Sequence, residues 1–205
     1  MAANETGMEN MDFDVLTEIG NIGAGNAVTA LSQMINTKVD MYVPQVKMLS
    51  FQELAEILGG EETLVAGIML SLEDDVEGSM LFMLEADNAH KLVSQLMGSP
   101  MGEEDTFTEI EQSALMELGN IITGAYLSAI SKMTNLVISP SVPYLAVDMA
   151  GAILSVPAIE FGKLGDQALL IESKFRDDDV DISGYFIMIP TLESYDSILK
   201  ALGIG

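Results

Sequence analysis

The segment Asp14–Asn26, DVLTEIGNIGAGN, decides the fold, because a second copy of it follows at Ser113–Ala125, SALMELGNIITGA. Residues that recur at one constant offset of 99 positions are Glu18 and Glu117, Gly20 and Gly119, Asn21 and Asn120, and Pro44 and Pro143. A period of this length exceeds the roughly 20 to 50 residues of a solenoid repeat. We therefore expect one domain over residues 1–205 built from two copies of a half-domain, 11–100 and 108–205, after a flexible lead at 1–10.

Both copies have the apolar period of a helix, and in the first copy Leu16, Ile19 and Ile22 form the buried stripe. The glycines inside this helix each cost about 1 kcal/mol relative to alanine. They either let a partner molecule approach or let the two helices pack closely around an internal two-fold axis. Close packing does not explain why a glutamate and an asparagine recur three residues apart on the polar face of both copies. We interpret these two pairs as functional.

The composition excludes several classes of function. With 8 basic and 32 acidic residues the chain carries a formal net charge of -24, which disfavours nucleic acid and anionic membranes as partners. The acidity indicates either attraction to a basic protein surface or a need for solubility. No apolar run reaches the roughly 18 residues of a membrane span, and the first residues do not have the pattern of a signal peptide. With no cysteine, there is no disulfide and no thiol nucleophile, so we expect a cytoplasmic protein without membrane insertion.

The remaining segments predict an α+β fold with a mainly antiparallel sheet. In the first half we expect a helix at 12–36, an edge or bulged strand at 38–49, a helix at 51–58, a hairpin of 64–72 and 78–84, and a helix at 86–97. In the second half we expect a long helix that begins at a Thr108–Glu111 capping box, a strand at 136–147, a segment at 148–159, a hairpin of 168–175 and 182–189, and a helix at 192–202.

Few catalytic chemistries can be assembled from this chain. Its one histidine, His90, is expected at the surface, and no zinc site, phosphate-binding glycine loop or serine–histidine–aspartate triad is present in the sequence. What remains is a glutamate and an asparagine on an exposed helical face. A carboxamide both accepts and donates hydrogen bonds, so it can orient one water molecule. Water orientation is a central requirement for hydrolysis of a phosphoryl group.

Four positions in each half resemble the active-site signature of the CheC, CheX and FliY family of chemotaxis phosphatases. They are Asp14, Glu18, Asn21 and Pro44 in the first half, and Ser113, Glu117, Asn120 and Pro143 in the second. The presence of two complete copies is similar to the CheC branch of this family. The resemblance covers nearly the whole chain.

The resemblance implies a pseudo-two-fold fold, in which a continuous sheet carries the two signature helices side by side on one face. It also implies hydrolysis of the aspartyl phosphate of the response regulator CheY. Asn21 and Asn120 would orient the attacking water, while Glu18 and Glu117 would contact a lysine of the regulator. The chain would need no cofactor or metal of its own, because Mg²⁺ belongs to the regulator.

Family members of this type also bind the receptor deamidase CheD, which places a partner surface at Asp148, Met149 and Ile153. An ordinary buried helix would explain the same segment. The alternative to an enzyme is a non-catalytic adaptor, since the flagellar switch protein FliM has the same fold without the catalytic pair. A third possibility is that regulation of CheD is the main role and phosphatase activity is secondary.

Overall fold

The computed structural model describes residues 10–35, 40–98, 106–161, 167–177 and 180–203. The helices in these ranges are α1 Asn10–Ile35, α2 Phe51–Ile57, α3 Ala86–Met97, α4 Glu109–Thr134, α5 Ala150–Phe161 and α6 Leu192–Ala201. The strands are β1 Asp40–Ser50, β2 Leu64–Asp74, β3 Gly78–Glu85, β4 Ile138–Pro140, β5 Tyr144–Met149, β6 Gln167–Asp177 and β7 Val180–Pro190. Apart from Asn10, the predicted flexible lead lies outside the described residues. No helix in the described ranges is long and apolar enough to cross a membrane.

The strands of the described chain form one antiparallel sheet in the order β1-β6-β7-β3-β2, and both β5 and β4 pair with the far side of β2. If β1, β2 and β3 are exchanged with β5, β6 and β7, respectively, the strand order read from the opposite end of the sheet is the same. At the centre, Leu81 of β3 pairs with Ile187 of β7. The predicted α+β class and antiparallel sheet are confirmed. The division into two copies stays a prediction about how the chain arose.

One face of the sheet carries α1 and α4, which contact each other. Their apolar stripes bury Leu16, Leu115 and many neighbours in one core cluster with the sheet. Phe82 and Phe186 of the central strand pair stack in this core with ring centroids 4.5 Å apart. Helices α3 and α6 contribute buried residues to the same cluster. The two long helices therefore lie side by side on one face, as predicted.

The opposite face of the sheet carries α2 and α5, which pack on a second core cluster around Leu81 and Ile187. A capping box begins α2: the Ser50 hydroxyl accepts from the Glu53 backbone N–H, while the Glu53 carboxylate accepts from the Ser50 backbone N–H at 2.8 Å. Because strand residues alternate between faces, every strand of the sheet except the short β4 contributes to both clusters.

Three sequence predictions are wrong in detail. Ile22, expected in the buried stripe of the first helix, is 36% exposed. The single strand expected at 136–147 is two strands, β4 and β5, because Pro140 and Pro143 lack the N–H that a continuous ladder needs. Between them, the Ser141 N–H donates to the Ser71 carbonyl at 2.9 Å. His90, expected at the surface, is half-buried and stacks on Phe107, with ring centroids 3.8 Å apart.

Candidate functional site

The four predicted catalytic residues lie on the two long helices, and all four are exposed. Glu18 and Asn21 are on α1, and Glu117 and Asn120 are on α4. In each helix the two residues are three positions apart, which places them on one face about a turn from each other. The structure thus brings each predicted pair together on an open surface.

The exposed residues of α4 define the open flank of the helix, which is turned to solvent. Ser113, Glu117 and Asn120 are exposed on this open flank, while Leu115, Leu118 and Ile122 are buried in the core. The helix α4 contacts β2, β3, β4 and β5, whereas α1 contacts β1.

The structure describes the four supporting signature residues to different extents. Ser113 is exposed in the second turn of α4, and its Oγ donates to the Glu109 carbonyl at 2.8 Å. Pro143 is half-buried between β4 and β5. Pro44 lies in β1 where the pairing with β6 shifts register, which confirms the predicted bulged edge strand. Asp14 lies within α1, but its side chain is outside the described residues.

The glycines of the two helices fall into two groups. A Cβ on Gly23 would come within 2.5 Å of the Tyr126 ring, and a Cβ on Gly119 within 2.6 Å of Ile68. These two glycines permit close packing. A Cβ on Gly25 or Gly124 would meet nothing within 4 Å, so packing inside the molecule does not require a glycine at either position. Both lie four residues after the site asparagine, on the open flank.

A capping box fixes the start of α4. The Glu111 carboxylate accepts from the Thr108 N–H at 2.7 Å and from the Thr108 hydroxyl at 2.8 Å. The Thr108 backbone N–H is the main reason that the pKa of Glu111 lies below its ordinary value of 4.5, and the Thr108 hydroxyl adds to the effect. This confirms the predicted helix start, two turns before the Glu117–Asn120 pair.

The site offers hydrogen bonding rather than a preformed ligand cage. Within the described residues, no group of three or more histidine, cysteine, aspartate or glutamate side chains is placed to hold a metal ion. Each pair supplies one carboxylate, which accepts hydrogen bonds or pairs with a cation, and one carboxamide, which donates and accepts. Such a pair can orient a water molecule and a charged group of a visiting molecule.

The three residues predicted for a CheD surface do not share a face. Asp148 lines a groove of about 170 Å³ under α5, together with Tyr144, Ile153 and Val156. Ile153 is only 9% exposed, so it forms the floor of this groove. Met149 projects to the opposite face, because it follows Asp148 in β5.

Comparison with known proteins agrees with this geometry. The chain matches the CheC-like family over residues 11–48 and 110–145, the segments that contain α1 and α4 with the strands after them. It is 37% identical over 201 residues to the CheY-P phosphatase CheC of Bacillus subtilis, and the match covers 96% of each chain.

Solved structures show the same fold at lower identity. The FliY structure from Thermotoga maritima superposes with a TM-score of 0.76 and 18% identity, covering 96% of this chain and 98% of that one. FliM from a FliM–SpeE complex of H. pylori superposes with a TM-score of 0.71 and 14% identity, covering 96% of both chains. Because the Bacillus relative matches across nearly its whole length and the family match contains both signature helices, this chain belongs to the CheC-like family.

Proposed function

We propose that this protein is a phosphatase that hydrolyses the aspartyl phosphate of the chemotaxis response regulator CheY. The observation that carries the proposal is the exposed Glu–Asn pair on the open flank of each long helix. The 37% identity to a CheY-P phosphatase over almost the full length supports the same substrate. An exposed pair on a convex helix suits a large protein substrate, because the phosphorylated residue can reach the helix without entering a pocket.

Each asparagine orients the attacking water. The carboxamide oxygen of Asn21 or Asn120 accepts a hydrogen bond from the water, and its NH₂ group donates to a phosphoryl oxygen. The water oxygen forms a bond to phosphorus in line with the aspartyl oxygen. The bond between phosphorus and that oxygen breaks, and the aspartate leaves as a carboxylate with the bonding electrons. A water proton passes to the phosphate, so the products are inorganic phosphate and the free aspartate.

Each glutamate orients the regulator. The carboxylate of Glu18 or Glu117 accepts a charge-assisted hydrogen bond from a lysine ammonium group beside the phosphoaspartate. This contact fixes the phosphorus relative to the asparagine one turn away. Phosphoryl transfer depends mainly on positioning and on charge stabilisation. The phosphorylated regulator would supply the Mg²⁺ that balances the charge of the phosphoryl oxygens. This chain orients the water and the regulator.

The test is phosphate release from phosphorylated CheY in the presence of Mg²⁺. We expect Asn21→Ala and Asn120→Ala each to remove part of the acceleration, and the double variant to return the rate to that of the regulator alone. Because both side chains are exposed, the melting temperature should change little. Gln33→Ala removes an exposed carboxamide from α1 outside the signature, and we expect it to leave the rate unchanged. Full activity in the double variant would show that the asparagines are not catalytic.

A second function is supported by the groove under α5. We propose that CheD binds there, on the face of the sheet opposite to the two Glu–Asn pairs. The groove combines apolar side chains, Tyr144 and Val156, with the exposed carboxylate of Asp148. The change Val156→Asp should weaken binding of purified CheD in calorimetry and leave phosphate release unchanged. Unaltered CheD affinity would exclude this groove.

The competing function is that of an adaptor without catalysis. Its support is the superposition with FliM, a likeness that extends to the fold alone. An adaptor binds the regulator equally well with or without Asn21 and Asn120, and leaves its dephosphorylation rate unaltered. The phosphate-release assay with the unmodified protein therefore separates the two functions.

A further inference from the structure

The edge of the sheet beside the second Glu–Asn pair carries an exposed apolar strip. Leu64 of β2 and Val147 and Met149 of β5 are 46%, 39% and 48% exposed. We call these three residues the site-two strip. Leu64 pairs directly with Met149, and Val147 pairs with the buried Ala66. The strip is therefore continuous across two neighbouring strands.

The site-two strip lies on the face of the sheet that carries α4. Leu145, two residues before Val147, packs against the core cluster beneath the long helices. Ala146 and Asp148 line the groove under α5 on the other face. Strand alternation therefore directs Val147 and Met149 to the α4 side. The same alternation puts Leu64 on the side of Ala66 and Ile68.

The strip lies along the strands from a residue that α4 contacts. Gly119 lies above Ile68, and Ile68 pairs with Leu145. The next pairs along the two strands on this face are Ala66 with Val147, and then Leu64 with Met149. Asn120 follows Gly119 and is exposed. The strip is therefore within reach of a protein-sized molecule that contacts Asn120.

The corresponding place beside the first Glu–Asn pair is more polar. At the offset of 99 residues that relates Pro44 to Pro143, Met149 corresponds to Ser50 and Val147 to Met48. Ser50 pairs with Gln167, whereas Met149 pairs with Leu64. The Ser50 hydroxyl and N–H both donate to the Glu53 carboxylate in the α2 capping box. The two sites thus differ in the surface beside them, although their helices carry the same pair.

We propose that the site-two strip is a docking surface for the phosphorylated response regulator, and that it makes the Glu117–Asn120 site the tighter of the two. This inference rests on the phosphatase function proposed above. An exposed apolar patch beside polar site residues is the composition of a protein–protein contact. The strip begins at the strand pair next to Ile68 on the face that carries α4, so the regulator covers it while presenting its phosphoaspartate to Asn120. Apolar burial away from the reacting atoms strengthens ground state and transition state alike.

The test uses proteins with one working site each. In an Asn21→Ala background, which leaves site two, Val147→Ser combined with Met149→Ser should raise KM for phosphorylated CheY about tenfold with kcat unchanged. In an Asn120→Ala background the same changes should leave KM unaltered. Leu64→Gln is an independent strip variant with the same expected direction. Ile159→Ser is the matched control, since it removes an exposed β-branched residue, 78% exposed, from α5.

The outcomes distinguish the docking surface from the catalytic function. If the Asn21→Ala protein is active and neither strip variant raises KM, the docking proposal is wrong and the phosphatase function stands. If the strip instead joins two copies of this chain, sedimentation will show a dimer that the variants separate without a change in KM. That result also overturns the docking proposal. If the unmodified protein releases no phosphate at all, the catalytic proposal is wrong. The docking proposal, which rests on it, is then wrong as well.

Discussion

Gly119 of α4 lies directly above Ile68 of β2, so that a Cβ on the glycine would come within 2.6 Å of the Ile68 Cγ2 atom. Ile68 is fully buried and β-branched, so this methyl group has little freedom to move. The contact sets the distance and the rotation of α4 over the sheet one residue before Asn120. Gly119, the counterpart of Gly20 in the first copy, thus helps to position Asn120.

We expect Gly119→Ala to lower the free energy of unfolding by about 1–3 kcal/mol, because overpacking outweighs the higher helix propensity of alanine. Denaturant unfolding measures this change. In the Asn21→Ala background the same substitution should also slow phosphate release, since the displaced helix carries Asn120 with it. A variant as stable as the parent would show that the core beneath α4 can relax around the extra methyl group.

Gly124→Ala is the matched opposite case, and we expect it to stabilise the protein by up to about 1 kcal/mol. No atom lies within 4 Å of the new Cβ, so only helix propensity changes. If the regulator approaches the open flank closely, phosphate release at site two should fall while stability rises. Higher stability with an unaltered rate would mean that the regulator does not use the space beside Gly124.

Much of the fold was predictable because local and long-range signals agree. The capping box at Thr108 and Glu111 starts α4 as predicted. The β2–β3 hairpin leads directly into α3, which ends at Gly98 in a left-handed conformation with φ +61°. The twin segments predicted two exposed Glu–Asn pairs because a helical period separates polar from apolar faces. Each of these features depends on residues that are close in the sequence.

The features that sequence reasoning missed depend on contacts between distant segments. His90 is half-buried because Phe107, from the segment before α4, stacks on it. Met149 and Asp148 were assigned to one partner surface, but β5 includes both and so directs them to opposite faces. Of the two roles that the sequence left open for the helix glycines, close packing holds for Gly119 and not for Gly25. Adjacent residues with the same propensity thus meet different surroundings in the fold.

The Glu111 side chain should contribute to stability in a pH-dependent way. Its folded pKa lies below the ordinary 4.5 because the Thr108 N–H donates to the carboxylate. A lowered folded pKa means that the contribution is present above about pH 4.5 and disappears as the pH falls through the folded pKa. We expect Glu111→Gln to cost roughly 0.3–1 kcal/mol at pH 7 and nothing at the acid end. Denaturant unfolding as a function of pH checks this, and a constant difference would contradict it.

The two Glu–Asn pairs should act independently, because they lie on different helices and share no residue. Substitutions at sites that share no partner usually have additive effects. At saturating phosphorylated CheY, the kcat values of Asn21→Ala and Asn120→Ala should therefore sum to that of the unmodified protein. Calorimetry with CheY carrying an unreactive phosphoryl mimic should show two regulators bound to each chain. If either single substitution removed all activity, or if only one regulator bound, the pairs would form a single catalytic unit, and two outward-facing sites would not describe how the protein works.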